Sequence, residues 1–136
     1  MQVYKQRSVW AVCLALLCLI PVLLPLVIGP GPVYTRGGGD SPFLLVRLEQ
    51  LVAGLRAGAF PVRWMPDAAY GLGYPFFNYY AALPYYVAAG LRLLGWVPIR
   101  ALQATQILGF VLAAAAMALL ARRTLRHPAA VALAAV

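Results

Sequence analysis

Residues 101–121 read ALQATQILGFVLAAAAMALLA, twenty-one residues without a charge that end at the basic cluster Arg122, Arg123 and Arg126. At about 1.5 Å per residue, a helix of that length covers the roughly 30 Å hydrocarbon layer of a bilayer. A second uncharged run of twenty residues, Val9–Ile28, stands near the other end of the chain. Only helices and closed barrels satisfy every backbone group in lipid, so the two runs predict an all-α, polytopic membrane protein with transmembrane helices at 9–28 and 101–121. Pro21 and Pro25 kink the second half of the first helix. A signal peptide is the rival reading of that run. It is longer than the ~7–15 residues of an h-region, however, and Gly29-Pro30-Gly31-Pro32 is no small-x-small cleavage site, so a retained span is preferred.

Composition points the same way: of 136 residues, 64% are hydrophobic and 10% are charged, too few charges for a soluble globule. The net charge of +8 would suggest nucleic acid in a polar chain, but the mean hydropathy of +0.83 assigns the basic residues to membrane-flanking positions instead. Nucleic acid is therefore not an expected partner; membrane lipid is. Cys13 and Cys18 lie inside the first apolar run, where they behave as small apolar residues and report no redox compartment.

Positive residues mark cytoplasmic flanks. Lys5 and Arg7 place residues 1–8 in the cytoplasm, and the cluster at 122–126 does the same for a basic loop at 122–128. The segment 29–100 is then an outer loop, and 129–136 reads as the start of a third span, in a fragment of a longer chain. Residues 81–97 are ambiguous, carrying Pro84, Gly90, Arg92 and Gly95. They are either a short third span or, as preferred here, a helix at the outer interface.

All three carboxylates of the chain, Asp40, Glu49 and Asp67, fall in the outer segment. Gly37-Gly38-Gly39 allows close backbone approach to a ligand before Asp40. Asp40-Ser41-Pro42 reads as a helix start, with Ser41 capping. Over 42–57, Leu44, Leu48, Leu51 and Leu55 make one stripe, with Arg47 and Gln50 on one flank, Glu49 and Arg56 on the other, and Gly58 as the stop. That pattern predicts an amphipathic helix lying on the membrane; a core helix of a small outer domain is the alternative.

Tyr70–Tyr86 contains six Tyr and two Phe, half of the aromatic residues in the chain. Such a belt anchors at an interface, or forms a platform for a sugar or a lipid head, with Asn78 offering an amide. One His and two membrane-embedded Cys build no ordinary zinc site, and there is no phosphate-binding glycine loop and no dinucleotide fingerprint. Asp40 and Asp67 remain as acid, base or metal groups, and Arg36 and Arg63 as forks for a phosphate. Against these roles, Asp40 and Asp67 could serve only as caps, Glu49 as a solvated neighbour of Arg56, and Arg47, Arg92 and Arg100 as interfacial anchors.

Gly39-Asp40-Ser41-Pro42, then Gly58-Ala59-Phe60-Pro61-Val62-Arg63-Trp64-Met65-Pro66-Asp67, then Gly71-Leu72-Gly73-Tyr74-Pro75-Phe76-Phe77-Asn78-Tyr79-Tyr80, resembles bacterial integral membrane proteins of the 6-pyruvoyl-tetrahydropterin-synthase-related kind. These in turn resemble the C-type (GT-C) membrane glycosyltransferases. The resemblance runs from about Val9 to Ala121 and implies no pterin chemistry. It implies a multi-pass protein of the bacterial cytoplasmic membrane that transfers a sugar from a polyprenyl-phosphate-linked donor. On this resemblance Asp40 is metal ligand (Mg or Mn) or general base and Asp67, more weakly, a second catalytic carboxylate; by their own chemistry Arg36, Arg63, Tyr74, Asn78, Tyr79 and Tyr80 are the candidate substrate-binding residues. Many relatives pair two acids at the first site; here Ser41 follows Asp40. The competing expectation is a non-catalytic transporter component or scaffold for envelope polysaccharide or lipid assembly.

Overall fold

The computed structural model describes residues 17–29 and 41–124, all helix and loop apart from one isolated β-bridge. The helices are α1 (Leu17–Ile28), α2 (Ser41–Arg56), α3 (Phe76–Tyr79), α4 (Leu83–Leu93) and α5 (Pro98–Thr124). They belong to two compact units. One holds α1 and the part of α5 from Ile107 onward; the other runs from Pro30 to Gln106.

In the first unit, α1 covers Leu19 and Leu26, seven residues apart, and α5 covers Ala114, Ala118 and Ala121. Those spacings are one stripe per helix. The remaining faces stay apolar and uncovered, with Ile20, Leu24, Ile28, Leu112, Leu119 and Leu120 all about half exposed or more. Pro98–Ala121 is the one described helix long and apolar enough to cross a membrane, at 24 residues or about 36 Å. The expected first span, 9–28, is described only from Leu17; its first half lies outside the described residues, as do the terminal segments 1–8 and 125–136.

The second unit has a core of its own. Leu48, Leu51 and Val52 on α2 are completely covered, and they meet Val62, Met65, Phe76, Phe77, Ala88, Ala89, Ala101 and Leu102. Each large side chain so buried contributes about 1.5–3 kcal/mol. The leucine stripe expected to rest on a membrane therefore faces protein, and α2 is the core helix of a small folded module. Enough apolar structure exists to cover it because the aromatic segment supplies Phe76, Phe77, Tyr85 and Tyr86 to this core or its margin.

Backbone chemistry ends both long helices of the module in the same way. Gly58, with φ of 82°, donates to Leu55 O while Ala59 donates to Gly54 O, and Gly95, with φ of 98°, donates to Arg92 O while Trp96 donates to Leu91 O. These are Schellman closures, in which glycine adopts the left-handed conformation that other residues resist. With α4 stopping at Leu93, its 11 residues span about 16 Å, too short for a third transmembrane crossing. Pro98 then opens α5, where a missing N–H costs nothing.

Glu49, read from the sequence as a solvated neighbour of Arg56, and Arg92, read as an interfacial anchor, instead pair with each other. Arg92 Nε donates to Glu49 Oε1 at 2.9 Å, joining α4 to α2, and Arg92 Nη1 also reaches Trp96 O at 3.5 Å. The pair is partly solvated, so a Glu49→Gln/Arg92→Gln double-mutant cycle read by thermal unfolding should give a coupling of about 1 kcal/mol or less. A coupling well above that would mean the pair is far better shielded than its exposure indicates.

Candidate functional site

The loop between α2 and α3 is laid back along α2 by two contacts one helical turn apart. Val62 packs on Gly54, where a Cβ would come within 2.8 Å of Val62 Cγ1, so only glycine leaves room for the crossing. Its N–H donates to Tyr86 Oη at 2.8 Å, which fixes the same crossing to α4. The preceding Phe60–Pro61 peptide is cis, and Phe60 meets Tyr86 edge-on at 5.8 Å.

Five residues later the loop is fastened again. Gln50 Nε2 donates to the Asp67 carboxylate, and the Asp67 N–H donates back to Gln50 Oε1 at 3.3 Å. Both ends of one side-chain amide are thus used on one residue, which sets the direction of the Asp67 carboxylate. Asp67 remains exposed.

Met65 and Tyr74 exchange two backbone hydrogen bonds, of 2.9 and 3.0 Å, and close residues 66–73 into a loop. Within it Ala69, Tyr70 and Gly71 have φ of 52°, 59° and 86°, and Gly73 has 81°. Two non-glycine residues in the left-handed region turn the tip outward, leaving Tyr70 fully exposed and Leu72 nearly so. Gly73 has a second duty: the Nε1–Cε2–Cζ2 edge of Trp64 lies where its Cβ would be, 2.4–2.5 Å away.

Beyond the loop, Phe76 organises the aromatic segment. Tyr80 stacks on it at 4.4 Å and 7°, Phe77 and Tyr85 meet it edge-on at 5.2 and 5.9 Å, and Tyr74 lies 6.5 Å away. The Arg47 guanidinium stands over the same ring at 4.3 Å. Such a cation–π contact is strongest where water is partly excluded, and Phe76 is buried.

Arg47 and Gln50 are three residues apart on α2, so their Cβ atoms lie about 5–6 Å from each other. This one flank carries a guanidinium with an aromatic stack on it and, a turn away, an amide that holds a carboxylate. Of the residues expected at the site, Asp67, Tyr74 and Tyr80 come together around this flank. Asn78 and Tyr79 are exposed on α3, with no hydrogen bond or ring contact among the described residues tying their side chains to the group, and Arg63 is exposed with no partner among the described residues. Arg36 and Asp40 lie outside the described residues. Arg47, read as an interfacial anchor, and Gln50 were the residues missed. Phe43 and Arg47 at four-residue spacing hinted at a cation over a ring, a contact present at 5.9 Å.

A divalent cation was expected at Asp40. Among the described residues no three His, Cys, Asp or Glu stand together. Glu49 and Asp67 are each held by a protein partner, Arg92 and Gln50, and Asp40 lies outside the described residues. What the flank offers is hydrogen bonding and proton transfer at Asp67, and stacking at Tyr74 and Tyr80. No family model, curated protein or solved structure matches the chain.

Proposed function

We propose that the chain belongs to a C-type membrane glycosyltransferase of the bacterial cytoplasmic membrane, multi-pass with a cytoplasmic N-terminus, and that the module on the outer side transfers a sugar from a polyprenyl-phosphate donor. The observation that supports it is the Asp67 carboxylate, exposed yet oriented by Gln50, on the α2 flank whose Arg47 stands over Phe76, the ring that Tyr74 and Tyr80 meet, in a unit that continues into an apolar helix of membrane-crossing length. In this reading Asp67 accepts the proton of the acceptor hydroxyl as that oxygen attacks the anomeric carbon. The bond from that carbon to the carrier's phosphate breaks, and the phosphate leaves with the electron pair. Exposed Tyr74 or Tyr80 takes the C–H face of the sugar, and Asp40 is the second carboxylate.

The test is transfer by the full chain in proteoliposomes, with polyprenyl-phosphate-linked glucose, mannose and N-acetylglucosamine as donor probes and a free disaccharide as acceptor. Asp67→Asn should lower the rate by about 100-fold or more with insertion unchanged. Rates within twofold of the parent for both Asp67→Asn and Asp40→Asn would remove the carboxylates from the mechanism. A second reading, a non-catalytic transporter component or scaffold, draws on one observation: both described carboxylates are already engaged by protein groups. Donor binding without turnover, insensitive to either substitution, would favour it.

A further inference from the structure

Asp67 is held at two atoms by one planar group. The Gln50 amide accepts the Asp67 N–H at Oε1 and donates from Nε2 to Asp67 Oδ2. A peptide N–H only donates and an ionised carboxylate only accepts, so the amide satisfies both in one orientation alone. Turning Asp67 about its Cα–Cβ bond would break the contact at Oδ2 while the one at the backbone is kept. One carboxylate oxygen is therefore committed, and Oδ1 accepts no hydrogen bond among the described residues. Both sides of this clasp stand on fixed backbone. On α2 the neighbours of Gln50 are Glu49, tied to Arg92 of α4, and Leu51, completely covered. On the loop, Pro66 fixes φ immediately before Asp67, and the Met65–Tyr74 bridge closes the segment that carries it. Val62 already attaches the same loop to both helices, through Gly54 and through Tyr86 Oη, so the amide adds direction to an attachment already made.

We propose that Gln50 is a positioning residue for Asp67: by holding Oδ2 it presents Oδ1 as the oxygen that receives the acceptor's proton. The inference rests on the sugar-transfer reading and names a residue on which the rate of that step depends. The proton passes from the acceptor hydroxyl to Oδ1 as the hydroxyl oxygen bonds to the anomeric carbon, and the carrier's phosphate leaves with the electron pair of the bond it loses. Gln50 neither gains nor loses a proton. A carboxylate whose direction is set before the acceptor arrives needs no further ordering in the transition state, whereas a misplacement of ~1 Å can lower a rate about 100-fold.

The test is a cycle of Gln50→Met and Asp67→Asn in the full chain, assayed in proteoliposomes with the same polyprenyl-phosphate donors and disaccharide acceptor. Methionine keeps the length of the side chain and removes the amide. Gln50→Met should lower kcat about 10–100-fold and leave KM within about twofold. In the Asp67→Asn background it should lower the rate no further, because the amide acts only through the carboxylate. Gln50→Asn, whose amide is one methylene too short to reach Asp67, is the second variant and should lose as much. Hydrogen exchange of the α2 amides should be unchanged in both. Parent-like kcat in both variants, with Asp67→Asn still impaired, would overturn the positioning role and leave Asp67 as the base. Losses that multiply in the double variant, a raised KM, or faster α2 exchange in both variants would overturn it as well, since the clasp would then serve only to hold the loop. Near-parent transfer by Asp67→Asn, or no transfer by the parent chain with any donor, would instead remove the sugar-transfer reading and this inference with it.

Discussion

Phe76→Ala should destabilise the module around α2 by about 3–5 kcal/mol, the range for removing a buried aromatic ring. Phe76 is 4% exposed and is the common partner of Tyr74, Phe77, Tyr80, Tyr85 and Arg47, so its loss opens a cavity and unseats five groups at once. Hydrogen exchange of the α2 amides in micelles is the measurement, since opening of this unit exposes them together. Phe76→Leu separates the two parts of the effect: it keeps most of the apolar volume and loses the ring contacts, each worth about 0.5–1.5 kcal/mol. Its cost should be well below that of alanine. If alanine costs less than about 1 kcal/mol, Phe76 is not the centre of the module.

That ring also marks how far the sequence could be read. The apolar run ending at Ala121 and the leucines at 44, 48, 51 and 55 are local signals, a length and a period, and each became a helix close to the place that signal indicated. Gly58 acted as the stop because a left-handed residue at a helix end is likewise a local demand. The partner of a helical face is not local. Phe76, Phe77 and Tyr85 have the composition of an interfacial belt, and nothing in their spacing announces that the chain returns them to α2. The same holds for Arg92 on Glu49, 43 residues apart, and Gln50 on Asp67, 17 apart. The first depends on α4 packing against α2, and the second on the loop lying back along α2 at Gly54.

For this reason the candidate site was only half visible. Residue chemistry singled out Asp67, Tyr74 and Tyr80, the types able to move a proton or stack a sugar. Arg47 and Gln50 were visible as one flank of a helix, yet their value lies in what they hold, which requires the fold. Asn78 and Tyr79 show the converse: they sit among the right neighbours in sequence, but α3 turns them to solvent.

Gly73→Ala should cost about 2–4 kcal/mol, from two sources that a second substitution can separate. The residue has φ of 81°, where a Cβ costs about 1–2 kcal/mol. In addition that Cβ would stand 2.4 Å from Trp64 Cζ2, and relieving such overpacking costs about 1–3 kcal/mol. The backbone part should remain in a Trp64→Ala background and the steric part should vanish, so the two substitutions should be non-additive by about 1 kcal/mol or more. Gly71→Ala is the internal control, since φ is 86° there but nothing lies within 4 Å of the added atom. It should cost only the backbone part, and thermal unfolding in micelles would rank the three. Equal costs at Gly71 and Gly73 would mean that Trp64 yields freely, so that its contact with Gly73 would not brace the 66–73 loop.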